Sequence, residues 1–225
     1  MNQAVKLLAI AAGCAAVCLS SFAASKTLEE RDPAGAPVTR ELAWDGSESL
    51  RIEVPANVRF IQSEGPGKVV VTGVRRSVDT FSATGGVLSD SRWRSGKPVD
   101  VVIHAPKITR FALKGSDALT IESFDQPELT IETTGRSEVK VSGRAGRVTL
   151  QLQGFGWADL SGLSAAEADV TLTGARHALV SARERVRVTG NGSVVLVVKP
   201  ENLELDLGDS GRVFTLGDAI AMKTN

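Results

Sequence analysis

Tyrosine is absent from this chain of 225 residues, and aromatic residues make up only 4% of it. A chain so poor in rings and so rich in Gly, Val, Leu, Thr and Ser suits stacked short strands better than a helical bundle. An excess of either charge is missing too. Lys+Arg and Asp+Glu both number 26, so no global field points to nucleic acid or to an anionic membrane surface. Cysteine occurs only as Cys14 and Cys18, both in the first apolar segment. With that segment removed, the mature domain has neither disulfide staples nor a thiolate metal site, and burial and backbone pairing must hold it together. Long apolar runs are lacking as well. The run from Leu7 to Leu19 covers 13 residues, whereas a spanning helix needs about 20.

That short run has its own meaning. Lys6 supplies a positive start, Leu7 to Leu19 an apolar middle, and Ser21-Phe22-Ala23 small residues where a peptidase would cut. Residues 1–23 therefore read as a signal peptide, and the chain as exported to the periplasm or cell surface, with no integral span after cleavage. The alternatives are an uncleaved anchor and a lipoprotein with Cys14 as the modified residue. Residues 24–41 shift to Ser, Lys, Glu, Asp, Pro, Gly and Ala without a hydrophobic period, and read as a flexible linker.

What the chain does have is a repeat. Gly115, Gly135, Gly154 and Gly174 are spaced by 20, 19 and 20 residues, continuing less regularly at Gly190 and Gly208. An alternating apolar run precedes each: Phe111 and Leu113, Leu129 and Ile131, Val148 to Leu152, Val170 and Leu172, Val186 and Val188, Leu203 to Leu207. A second short alternation follows, as in Val139-x-Val141 and Ala158-x-Leu160. Period-two alternation buries one side of a strand only. One unit of about 20 residues cannot close a core, but stacked copies can, with glycine at the sharp corners. The expected fold is all-β: a single-stranded, right-handed parallel β-helix, or solenoid, with rungs of about 20 residues. An antiparallel sandwich is the alternative, but the two-residue Asn-Gly or Asp-Gly loops it favours are scarce between these strands. Residues 42–107 share the strand grammar less regularly. One continuous solenoid of roughly eight or nine rungs would hold residues 42–218, with residues 40–48 and 214–225 as end covers and 219–225 as a tail.

The stretch Leu50-Arg51-Ile52-Glu53-Val54-Pro55-Ala56-Asn57-Val58, then Val69-Val70-Val71-Thr72-Gly73, resembles the start of the auto-transporter-adhesin head domain family, the head GIN domain. Phe111-Ala112-Leu113-Lys114-Gly115-Ser116-Asp117-Ala118-Leu119-Thr120-Ile121 and the later glycine rungs resemble it too. The resemblance covers about residues 42–218 and implies a β-helix in a secreted or surface protein. It carries no catalytic motif to transfer.

Residues that could do chemistry are few. His104 and His177 have no nucleophile or ligand set at a recognisable spacing, so no catalytic residue, metal site or cofactor site is assigned. Asp125, Glu128, Glu204, Asp206 and Asp209 read as a solvated face, although acids on adjacent rungs are also what a polysaccharide-active β-helix enzyme uses. Arg183-Glu184-Arg185-x-Arg187 and Arg92-Trp93-Arg94 could meet an anionic glycan, or serve solubility and Arg–Trp stacking. Phe155 and Trp157, in Gln153-Gly154-Phe155-Gly156-Trp157, break the small-residue habit of their corner. They read either as an aromatic platform for a sugar or partner protein, or as rings folded back over the core. The expected ligand contacts are Phe155, Trp157, Arg92, Trp93 and Arg94. The expected function is a non-enzymatic binding or scaffold module of the envelope, with a glycan or envelope protein as partner. A polysaccharide lyase or glycosidase, and a structural protein that self-associates through strand contacts, are the alternatives.

Overall fold

The computed structural model describes residues 36–91, 97–174 and 177–215. The expected signal peptide, the start of the expected linker, Arg92-Trp93-Arg94 and residues 216–225 lie outside the described residues. The chain forms β1 (Pro37–Ala43), β2 (Ser49–Ile52), β3 (Ala56–Gln62), β4 (Lys68–Val74), the short helix α1 (Arg75–Thr80), β5 (Phe81–Thr84), β6 (Val87–Asp90) and β7 (Val99–Ala105). It continues with β8 (Arg110–Gly115), β9 (Ala118–Gly135), β10 (Glu138–Gly154), β11 (Trp157–Thr173), β12 (His177–Gly190), β13 (Ser193–Leu196), β14 (Asn202–Leu207) and β15 (Arg212–Thr215).

The chain is a β-solenoid of about five turns with rungs of about 20 residues. From β8 onward every rung lies parallel on the one before. Val139 pairs with Leu119, Ala158 with Val139, and Ala178 with Ala158. Two walls result. The front wall stacks β3, the first parts of β9 to β12, then β13 and β15. The back wall stacks β2, β8, the second parts of β9 to β12, and β14. Alternation sends Leu119, Ile121, Val139, Val141, Ala158 and Leu160 inward from the front wall, and Leu129, Ile131, Val148, Leu150, Val170 and Leu172 inward from the back, all at most 3% exposed. Each wall closes the other's apolar side, which a single rung could not do.

One corner between the walls is set by glycine. Gly115, Gly135, Gly154, Gly174 and Gly190 all have positive φ, whereas Gly208 does not, so the sixth member of the sequence pattern is not a corner of this kind. At Gly135 a Cβ would stand 2.4 Å from the Gly115 carbonyl oxygen. Backbone conformation and stacking distance thus both demand glycine there.

The first half departs from the expected continuous stack. Between β3 and β8 the chain leaves the ladder, and β4 to β7 fold back over its N-terminal end. On the front wall β7 joins β3 in parallel, β4 joins β7 antiparallel, and β1 joins β4 antiparallel. On the back wall β6 lies parallel to β2 and pairs antiparallel with β5 through the two-residue Gly85-Gly86 turn, where both φ angles are positive. The chain then returns to lay β8 on β2 and β9 on β3. This excursion is why there are about five turns rather than eight or nine: its strands close an end instead of adding rungs. It also changes the reading of residues 37–41, placed in the linker on composition. They belong to β1, an edge strand that buries little but is tied down by Arg40, whose guanidinium donates to the carbonyls of Val78 and Asp79 at 3.3 and 3.2 Å.

Candidate functional site

The glycine corner leaves one outward position per rung. Arg136 and Phe155 follow Gly135 and Gly154, and their backbone N–H groups donate to the Gly115 and Gly135 carbonyls, each at 2.7 Å. With the backbone pinned, the side chains can only project outward. Phe155 is 63% exposed, against 47% for Val74, the other exposed large hydrophobic residue among those described. The Arg136 guanidinium, one rung away, lies 5.9 Å from the centre of the Phe155 ring, a cation–π contact that covers part of the ring.

Trp157 begins the front wall beyond that corner. Alternation with buried Ala158 and Leu160 turns its indole outward, and register places it between Glu138 and His177. His177 stacks on it at 5.9 Å and an interplanar angle of 16°, while the Lys140 ammonium lies 5.6 Å from the ring centre. Because Lys140 and His177 come from the rungs on either side, both faces of the indole are occupied. Neither aromatic folds over the core: Trp157 is half-buried in a surface stack, and Phe155 is the more exposed ring.

Lys140 also lines a cleft of about 410 Å³ that runs to the opposite corner, with Thr120, Glu122, Ser123, Ser142, Asp159 and Ser161. Ser123, Ser142 and Ser161 occupy that corner on three successive rungs. Ser123 is the one non-glycine residue among those described with positive φ, at 56°, an uncommon conformation that is more frequent at functional sites. Asp159 accepts from the Ser161 hydroxyl at 2.5 Å and its N–H at 2.9 Å. Glu122 accepts two hydrogen bonds from Arg59, at 2.8 and 2.7 Å. The cleft therefore offers hydroxyls, partly engaged carboxylates and one ammonium beside an aromatic stack. The serines recur at spacings of 19 in the sequence, a signal that could have marked this corner; the glycine pattern drew attention to the other one.

The other sequence candidates fall elsewhere. Arg185 reaches Glu167 at 3.2 Å and Glu204 at 4.0 Å, and Arg187 reaches Glu204 at 3.5 Å. Two members of the basic cluster are thus held in a back-wall ladder of alternating charge. Arg147, donating to Glu167 at 2.9 Å, holds the Glu167 carboxyl below its usual range. Asp125 pairs with Arg144 at 2.8 Å. A second cleft, of about 470 Å³, lies where the N-terminal layers meet the ladder. The Glu48–Lys107 ion pair on its wall, at 2.7 Å, is accompanied by Arg110, Gln126, Glu128 and Thr130, with no aromatic residue. Among the described residues no three of His, Cys, Asp or Glu stand together as a metal site, and no helix is long and apolar enough to cross a membrane.

Residues 48–201 match the family described as "Putative auto-transporter adhesin, head GIN domain". No curated protein is detectably similar to the chain. Among solved structures, a "putative adhesin" from Bacteroides fragilis NCTC 9343 superposes with a TM-score of 0.65 at 17% identity, over 80% of this chain and 97% of its own. A "putative adhesin" from Parabacteroides merdae ATCC 43184 gives 0.47 at 14% identity, over 80% and 96%. A "putative lipid binding protein" from Parabacteroides distasonis ATCC 8503 gives 0.45 at 15% identity, over 80% and 96%. At these identities the first shows a shared fold and nothing finer.

Proposed function

Since the chain belongs to the head GIN domain family of auto-transporter adhesins, we propose that it is a non-enzymatic, exported binding module of the cell envelope. Its front wall, from Phe155 and Trp157 to the serine cleft, is the surface that contacts a glycan. The observation that carries this reading is the exposed Phe155 ring, set at a corner where the equivalent positions of other described rungs carry Ser116, Arg136 and Asn191. A sugar presents C–H faces that pack on an aromatic ring and hydroxyls that need partners. Phe155 supplies the first, and Thr120, Ser123, Ser142 and Lys140 the second. The polysaccharide-active enzyme has weaker support, because both cleft carboxylates are engaged by Arg59 and Ser161.

The test is a glycan array probed with the full chain and with Phe155→Ala and Trp157→Ala. Loss of a wild-type signal in Phe155→Ala, with an unchanged melting temperature, supports the reading. A signal that survives both substitutions overturns the site. Cleavage of an arrayed polysaccharide overturns the non-enzymatic assignment.

A further inference from the structure

Three polar side chains lie inside the ladder without a hydrogen-bonding partner: Asp117, Thr133 and Ser137, exposed by 3%, 3% and 0%. Native interiors leave very few such groups, so each asks for an explanation. Asp117 and Ser137 stand two residues beyond Gly115 and Gly135 on adjacent rungs, since Ala118 pairs with Glu138. Thr133 stands two residues before Gly135 and pairs with Leu113. One rung further the same corner position is Gly156, where a Cβ would come within 2.5 Å of the Ser137 carbonyl oxygen. At that rung even a Cβ does not fit, whereas the two rungs before it hold the side chains of Asp117 and Ser137.

Asp117 occupies the first ladder rung, and its neighbour on the other side is different. There the chain turns through Val54-Pro55-Ala56 instead of a glycine corner, with Asn57 in register with Ala118. Asp117 thus sits in the seam between the N-terminal layers and the ladder. The charged groups on the surrounding elements face outward. Glu53 lies 3.7 Å from Arg51 and 4.0 Å from Lys114, Arg136 lies over Phe155, and Glu138 is exposed. None reaches Asp117. Burial pushes the carboxyl from its ordinary 3.8 up to about 6, and the Ala56 backbone N–H, the one donor that faces it, offsets that only in part.

We propose that the seam accommodates Asp117 as the neutral acid, so that the junction between the N-terminal layers and the ladder is a pH-responsive element, firm in mildly acid medium and loosened when Asp117 ionises. A neutral carboxyl can donate its own proton to a neighbouring oxygen and escapes the cost of a buried, unpaired charge. The direction follows from linkage. Between about pH 4 and pH 6 the folded chain holds a proton that the unfolded chain has released, so stability falls as pH rises through that window. Above about pH 6 the full penalty applies.

Thermal and denaturant unfolding of the full chain from pH 4 to pH 8, beside Asp117→Asn and Asp117→Gly, tests this. Asp117→Gly installs the residue that the corner carries at position 156 and keeps the test open if the asparagine variant folds poorly. The variants should match wild type near pH 4. By pH 7 they should exceed it by up to about a hundredfold in the folded-to-unfolded ratio, tenfold for each pH unit between the two carboxyl values. Wild-type seam amides at 57–61 and 118–121 should lose protection with rising pH beyond the intrinsic rate, and those of the variants should not. Parallel pH profiles for all three proteins overturn the proposal. So does wild-type stability at pH 7.5 that Ca²⁺ restores and Asp117→Asn abolishes, since a bound cation would then neutralise the carboxylate instead of a proton.

Discussion

From Glu138 onward no described rung buries an aromatic side chain, whereas Trp44, Phe60, Phe81 and Phe111 are all buried at the N-terminal end, with Phe124 at the first far corner. The difference follows from geometry. Rungs stacked at about 4.8 Å repeat one cross-section, so each inward position must take a side chain of nearly the same size as those above and below. Val, Leu, Ile and Ala meet that condition. At the N-terminal end the walls pass through β7 and β6 into antiparallel strands and a helix, the cross-section is not repeated, and bulky rings fill irregular space. Phe60 and Phe111 meet at 5.4 Å and 57° across the seam, a tilted contact that a uniform stack gives no room for.

The strongest way to break this comparison is to remove a seam ring. Phe111→Ala should lower stability by about 3–5 kcal/mol, because the surrounding layers cannot collapse into the space. Leu205→Ala, on the last described back-wall strand where the leucines are only partly buried, should cost less than Leu150→Ala, buried in mid-ladder, for which about 2–5 kcal/mol is expected. Urea unfolding of the three variants measures the order. If Leu205→Ala cost as much as Phe111→Ala, the uneven closure of the two ends would be wrong.

Glycine separates the same regions at smaller scale. Gly135 has positive φ and a carbonyl at its back, so Gly135→Ala should cost roughly 2–4 kcal/mol from backbone strain and overpacking together. Gly85, in the hairpin turn, also has positive φ, but nothing lies within 4 Å of its Cβ position. Gly85→Ala should cost about 1–2 kcal/mol, from the backbone alone. Equal losses in thermal unfolding would mean that the contact between stacked corners contributes nothing.

The ladder was legible because two periods coincide in it: alternation along each strand, and glycine every 19 or 20 residues. The excursion was not, because its turns, Gly65-Pro66-Gly67 and Gly85-Gly86, look the same whether the next strand adds a rung or folds back. That β2 pairs with β8, 61 residues on, leaves no local trace. β1 was hidden for another reason. An edge strand with one side in solvent needs little apolar content, and Val38 and Leu42 are its main contribution to the packing. At the candidate site, Phe155 and Trp157 stood out by breaking a rule of size. Ser123, Ser142 and Ser161 did not, since serine at a turn is ordinary. Asp117 was concealed in the same way: Lys114-Gly115-Ser116-Asp117 reads as a solvated turn, and only the stacking of rungs shows that its last member points inward.

The smallest effects separate the two aromatic residues that the sequence grouped together. Trp157 is held between Lys140 and His177, so Trp157→Ala should lower stability by roughly 0.5–1.5 kcal/mol through lost stacking and cation–π contact. Phe155 is mostly exposed, with Arg136 over its ring, and Phe155→Ala should stay within about 0.5 kcal/mol of wild type. His177→Ala separates the terms further, since it frees one face of the indole while leaving Lys140 on the other. If the front wall engages a flat apolar ligand face, His177→Ala should strengthen binding while slightly weakening the fold. If the stack instead serves only to stiffen the wall, His177→Ala should lower stability and leave binding to the array unchanged. Paired melting and binding measurements on the three variants therefore decide whether Trp157 is part of the contact surface or a support for Phe155.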